Sequence, residues 1–143
     1  MRRAALVLVV SGLVLSGCWG GAGDDRVTGS AAAPTPQDEL QVTAKEFEFS
    51  SRAWAVPAGS FSVEFTNRGT IEHEWAVLRR GITLRDQRSL REEMVLFEVE
   101  AVPEGTTHVQ RFTLREPGHY QVVCALEGHF DAGMTSDLSV VRT

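Results

Sequence analysis

Apolar and polar positions alternate through most of the chain beyond residue 39. Leu40, Val42 and Ala44 alternate with polar residues, and Phe47 and Phe49 continue the apolar side after a register break that predicts a bulge. Trp54-Ala55-Val56 leads into a turn at Pro57-Ala58-Gly59. Phe61, Val63 and Phe65 alternate up to a second turn at Asn67-Arg68-Gly69, and Ile71, His73, Trp75 and Val77 again recur at period two. Further on, Val95, Phe97 and Val99 read as a strand, as do Gln110, Phe112 and Leu114, with turns at Pro103-Glu104-Gly105 and Glu116-Pro117-Gly118. Tyr120, Val122 and Cys124 share a face of the next strand, and Leu138 and Val140 line the last. Seven or eight short strands punctuated by turns, with no βαβ alternation, predict an all-β Greek-key β-sandwich. Residues 79–93 are the least strand-like; they predict one or two helical turns, or a loop crossing between sheets.

The N-terminus follows different rules. Met1-Arg2-Arg3 precedes an apolar run from Ala4 to Leu15, the charged and apolar regions of a signal peptide. The run is shorter than the roughly 20 residues of a transmembrane helix. It ends in Leu15-Ser16-Gly17-Cys18, which resembles the bacterial lipobox, where cleavage precedes a cysteine whose sulfur carries diacylglycerol. Residues 1–17 are therefore expected to be a lipoprotein signal peptide and Cys18 a lipidated N-terminus. Residues 18–38, rich in Gly, Ala, Ser, Thr and Pro, are expected to be a flexible tether, and 39–143 the folded domain. That organisation places the protein outside the cytoplasm, anchored by lipid to the cell membrane or outer membrane.

Charge and cysteine usage narrow the chemistry. The formal net charge is −5, and it becomes −7 once Arg2 and Arg3 leave with the signal peptide. An acidic balance argues against nucleic-acid binding, which needs a basic face. Of the two cysteines, Cys18 is taken by lipid, so Cys124 has no partner for an intramolecular disulfide. A free thiol in an oxidising compartment calls for an explanation, and metal ligation is the leading one.

Cys124, His129 and Met134 form the pattern C-x4-H-x4-M between two predicted strands, and His73 lies on the inward set upstream. Two imidazoles, a thiolate and a thioether are the donor set of a mononuclear blue-copper electron-transfer site. Thiolate and thioether favour Cu(I) while imidazole suits both oxidation states, so one geometry serves both. Taken singly, Cys124 reads as a small buried apolar residue, Met134 as core filling and His73 as a structural histidine; the joint spacing favours ligation. His108 and His119 are expected at the surface, with Glu46, Glu72 and Glu127 as ordinary surface carboxylates.

With these residues in view, the segment from about Leu40 to Val141 resembles the cupredoxins, the plastocyanin-, azurin- and auracyanin-like type 1 copper proteins. Asn67-x-Gly69 with His73 after it, Gly118-x-Tyr120-x-x-x-Cys124 and Gly128-His129 carry the resemblance. It implies one copper per chain held by His73, Cys124, His129 and Met134, a non-enzymatic electron carrier, and electron exchange at the edge of His129. The apolar loop residues Ala125, Leu126, Gly128, Phe130, Ala132 and Gly133 are expected to form a small patch around that edge. The expected partner is a redox protein with a basic docking face, such as a c-type cytochrome or the copper domain of a terminal oxidase, met by a monomer with no small-molecule substrate. Copper buffering or delivery, and a metal-free β-sandwich binding module, are the alternatives. Two positions depart from the family pattern. Glu74 follows His73 where many members carry Asn, and Gly128 precedes His129 where plastocyanins carry Pro, so rigidity must come from elsewhere.

Overall fold

A computed structural model describes residues 32–142; the expected signal peptide, Cys18 and the tether up to residue 31 lie outside the described residues. In chain order the strands are β1 (Glu39–Lys45), β2 (Glu48–Phe49), β3 (Ala53–Pro57), β4 (Gly59–Asn67), β5 (His73–Leu78), β6 (Val95–Val102), β7 (Thr107–Leu114), β8 (Gly118–Val123) and β9 (Thr135–Val141). They form a sandwich of two sheets, ordered β2-β1-β4-β7 and β3-β9-β8-β5-β6. The β1–β4 and β3–β9 pairs are parallel because the chain crosses to the other sheet between their members. Already before β1, the Gln37 N–H donates to Ala55 O at 2.8 Å, and Asp38 O accepts from Ser62 N–H at 2.9 Å.

The expected all-β sandwich is present, with nine strands among the described residues where seven or eight were expected. One additional strand arises where the pattern predicted a bulge. Lys45 pairs with Glu48 across a two-residue turn, so Glu46 and Phe47 form the tip of a β1–β2 hairpin. Phe47 sits at φ 61° and is 40% exposed, whereas Phe49 is buried. A left-handed bulky residue is uncommon, which is why alternation alone could not foresee the turn.

Elsewhere the period-two reading holds. Leu40, Val42 and Ala44 of β1, Phe61, Val63 and Phe65 of β4, and Trp75 and Val77 of β5 are at most 1% exposed and meet in one core between the sheets. The Tyr120 hydroxyl donates to Glu116 O at 2.8 Å, pinning the turn that starts β8. This is the corner device of many sandwiches.

On the second sheet, side chains facing away from that core are covered as well. Ala76, Leu78 and Val123 are fully buried and pack with Leu84, Ile82, Leu90, Val95, Ala125 and Phe130. The cover is the segment 79–94, which contains two single 3-10 turns, Gln87–Ser89 and Glu92–Met94, in line with the helical-turn expectation for 79–93. The Asp86 side chain caps the first by accepting from Arg88 N–H at 3.0 Å. The unbroken apolar run Trp75-Ala76-Val77-Leu78 is the sequence trace of a strand covered on both faces. Burying Leu84 alone contributes roughly 2 kcal/mol to holding the flap down.

Candidate metal centre

His73 opens β5, and the loop leading into it is built around Asn67. This fully buried side chain donates to Ile71 O at 2.7 Å and to Val102 O at 2.8 Å, and accepts from Gly69 N–H at 2.8 Å. One amide thereby satisfies three backbone groups that no strand pairing could reach. Ile71 is held in the loop, 40% exposed, so the inward set begins at His73 and not at Ile71 as the alternation predicted. Gly69 lies so close that a Cβ there would stand 2.5 Å from Glu46 Oε1 and 2.9 Å from His73 Nε2.

Glu46 is at the surface, as expected, but the fold also gives its carboxylate a defined position. At the hairpin tip it accepts from the Thr70 N–H, and from the Thr70 hydroxyl at 3.1 Å, and its Oε1 stands 4.0 Å from His73 Nε2. The bond from the Thr70 N–H holds its carboxyl below the usual carboxylate range. No pattern in the chain joins Glu46 to His73; only the hairpin does.

The other donors lie on the connection from β8 to β9. Cys124 directly follows β8 and Met134 directly precedes β9; the Cys124 N–H donates to Met134 O at 3.1 Å, and the Met134 N–H to His129 O at 3.0 Å. Further turns close inside, with the His129 N–H donating to Leu126 O at 3.1 Å and the Ala132 N–H to Gly128 O at 3.0 Å. Gly128 has φ 82°, which the fixed negative φ of proline could not adopt, so the departure from Pro at this position reflects a different turn.

These two regions bring His73, Cys124 and His129 together. One donor atom from each lies within 4.8 Å of the others, and the residues are 0%, 0% and 8% exposed. Cys124 Sγ is 3.2 Å from His129 Nδ1 and accepts from the Glu74 N–H at 3.3 Å. Both ring nitrogens of His73 are buried without a hydrogen-bond partner. An unpaired buried imidazole beside a thiol and a second imidazole is costly in isolation and fits a thiophilic, imidazole-binding metal such as copper. Met134, 0% exposed, is fixed by its backbone bonds to the other two loop residues.

Burial dominates the electrostatics. It pushes the Cys124 thiol up to about 11, against the opposing pull of the Glu74 and Leu126 N–H groups. His73 and His129 are both lowered, chiefly by burial. Neutral imidazoles are ready to ligate, while the thiol must give up a proton to a metal. Glu74 links the two regions through its backbone N–H. Its carboxyl stands half-buried near Glu98, Glu100 and Glu72, and burial followed by those charges pushes it up to about 6.

The surface beside His129 differs from the expected loop patch. Ala125 and Phe130 turn away into the cluster beneath the flap. Phe47 from the hairpin takes their place, with its ring edge-on to His129 at a centroid distance of 5.2 Å. His108 and His119 are exposed as expected, and His119 Nδ1 lies 3.1 Å from Ser139 Oγ. Besides Glu46 and Phe47, alternation missed Gln87, which lies in the flap and bonds to Ala125 and Phe130 of the β8–β9 connection.

The family model of copper binding proteins, plastocyanin/azurin family, matches residues 36–141. Auracyanin from Roseiflexus castenholzii is similar in structure with a TM-score of 0.65 and 17% identity, over 75% of this chain and 99% of that one. Auracyanin A from Chloroflexus aurantiacus has a TM-score of 0.61 and 19% identity, covering 75% of this chain and 100% of that one. The azurin Az-iso2 of Methylomonas sp. strain J has a TM-score of 0.59 and 19% identity, covering 72% and 97%. No curated protein matches the chain.

Proposed function

The chain belongs to the plastocyanin/azurin family of copper-binding proteins, and from that premise we propose that it is a membrane-tethered type 1 copper protein carrying single electrons between redox partners. His73, Cys124 and His129 would hold the copper, with Met134 as a fourth, thioether donor. When bound, copper supplies one-electron chemistry by alternating between Cu(II) and Cu(I). The observation that carries the reading is the buried trio of donors within 4.8 Å, with both nitrogens of His73 unpaired.

The residues have separable tasks. Asn67 and β5 hold His73 on the stiff part of the sandwich, and the Cys124–Met134 and Met134–His129 backbone bonds fix the spacing along the loop. The Glu74 N–H donates to the Cys124 sulfur and favours its deprotonated form. Phe47, edge-on to His129, and the buried Met134 help keep bulk water from the donors. Such a closed set suits electron transfer better than delivery, which needs an accessible metal. Cys18 carries the lipid, and the stretch after it, expected as a tether to residue 38 but already bonded to the sandwich at Gln37 and Asp38, holds the domain off an extracytoplasmic membrane surface.

Exchange with the partner occurs where Phe47 and His129 approach the surface. The exposed Glu127 and Asp131 beside it, with the net negative charge, fit a partner with a basic face, such as a c-type cytochrome or the copper domain of a terminal oxidase. A small patch is adequate for a transient encounter.

Titrating the metal-free protein with Cu(II), followed by visible and EPR spectra, tests the reading. The expected result is an intense thiolate-to-copper charge-transfer band that saturates at one copper and is lost in Cys124→Ala. A colourless complex, or the same band in Cys124→Ala, would overturn it.

A further inference from the structure

The flap residue Gln87 makes four hydrogen bonds to the segment that carries the proposed ligands. Its Nε2 donates to Ala125 O at 3.1 Å and to Leu126 O, and its Oε1 accepts from the Phe130 N–H at 3.0 Å. Its own backbone N–H donates to Asp131 Oδ1 at 3.1 Å. Three of the four bonds use the side-chain amide, and all end between the residue after Cys124 and the second residue after His129.

We infer that Gln87 is a positioning residue for the metal site, a clamp that sets the path of the chain between Cys124 and His129 from outside. The chemistry of the amide is specific to this task. The loop presents two carbonyl oxygens on one side and one N–H on the other, and only a group with both a donor and an acceptor end satisfies all three. A carboxylate would oppose the two carbonyls, and an apolar side chain would leave all three groups without it. The clamp is itself anchored, because Leu84 and Leu90 on either side of Gln87 pack beneath the flap together with Ala125 and Phe130 of the loop. It also explains how a loop containing Gly128 and Gly133, both at positive φ, keeps one shape without proline.

The inference rests on the copper reading only for what the clamp is for; its geometry can be tested without metal. In the metal-free full-length protein, Gln87→Met keeps side-chain length and packing but removes donor and acceptor. The Phe130 amide should then exchange with solvent roughly 10- to 100-fold faster than in wild type. Amides of β4 should be unchanged, which shows that the fold is intact. In the Cu(II)-loaded protein the same variant should bind copper roughly 10- to 100-fold more weakly and shift the charge-transfer band and copper hyperfine splitting. Gln87→Glu, which retains the acceptor but not the donor, should leave Phe130 better protected than Gln87→Met does. Phe130 exchange and copper affinity both within twofold of wild type in Gln87→Met would overturn the clamp. A wild-type protein that gives no charge-transfer band while Gln87→Met still frees Phe130 would sink the copper reading and leave the clamp standing.

Discussion

The two halves of the candidate site are held by opposite means. His73 stands at the start of a strand, and the loop before it is knotted from within by the buried Asn67. Cys124, His129 and Met134 lie on a connection outside any strand, rich in glycine and fastened partly from the outside by Gln87. The first half draws its rigidity from the sandwich and the second borrows it from a flap. A two-region site of this kind can lose one half without the other, and each half has its own point of failure.

Breaking the strand side should cost most. Asn67→Ala strips a partner from each of Ile71 O, Val102 O and Gly69 N–H around a fully buried side chain. Losing buried hydrogen bonds of this kind costs about 1 kcal/mol each and more where a group is left unpaired, so a loss of about 3–4 kcal/mol is expected in urea unfolding. Copper binding should fall with it, because His73 is released. A loss below about 1 kcal/mol would mean that β5 holds His73 without the knot.

How much of this was legible in the chain depends on whether a contact repeats or is made once. Phe61, Val63 and Phe65 announce their strand because each inward position repeats the last, and C-x4-H-x4-M carries its own spacing. Asn67 and Gly69 were visible as turn residues and as part of a family motif ahead of His73. That they also organise the His73 loop depends on Val102, which is brought alongside by β6 pairing with β5. Glu46 and Phe47 escaped because a hairpin with a left-handed phenylalanine leaves no compositional mark. Gln87 escaped because a lone polar residue in a non-periodic segment looks like surface until its partners are known.

Glu74 sits at the seam between the halves and offers a test by pH. Its carboxyl is pushed up to about 6 from the usual 4.5, by burial first and then by Glu98, Glu100 and Glu72. The folded protein therefore holds this proton more tightly than the unfolded chain does. Between about pH 4.5 and 6 the stability contributed by this group falls as pH rises, and above pH 6 the ionised carboxylate is a net cost. Glu74→Gln removes that cost while leaving the backbone N–H to Cys124 in place. After allowance for a group only half shielded from solvent, the expected gain in the metal-free protein at pH 7.5 is roughly 2–4 °C in Tm, vanishing near pH 4. A destabilised Glu74→Gln protein at pH 7.5 would show that the carboxylate has a favourable partner after all.

The smallest expected change in stability, and the most informative about the surface, is at Phe47. A phenylalanine at φ 61° bears roughly 1–2 kcal/mol of backbone strain, and with 40% of it still exposed its burial does little more than offset that. Phe47→Gly removes the strain, but costs about 0.4–1 kcal/mol in unfolded-chain entropy and a similar amount in lost contact with His129. These contributions nearly cancel, and unfolding free energy should stay within about 1 kcal/mol of wild type. What should change is access, with His129 in the metal-free protein reacting several-fold faster with an imidazole-acylating reagent. That combination would mean that the ring is kept in an unfavourable conformation for what it covers and presents beside the metal site. A fall of more than about 2 kcal/mol, with unchanged reactivity, would instead make Phe47 a structural residue of the hairpin and leave the surface at His129 to be formed by the loop alone.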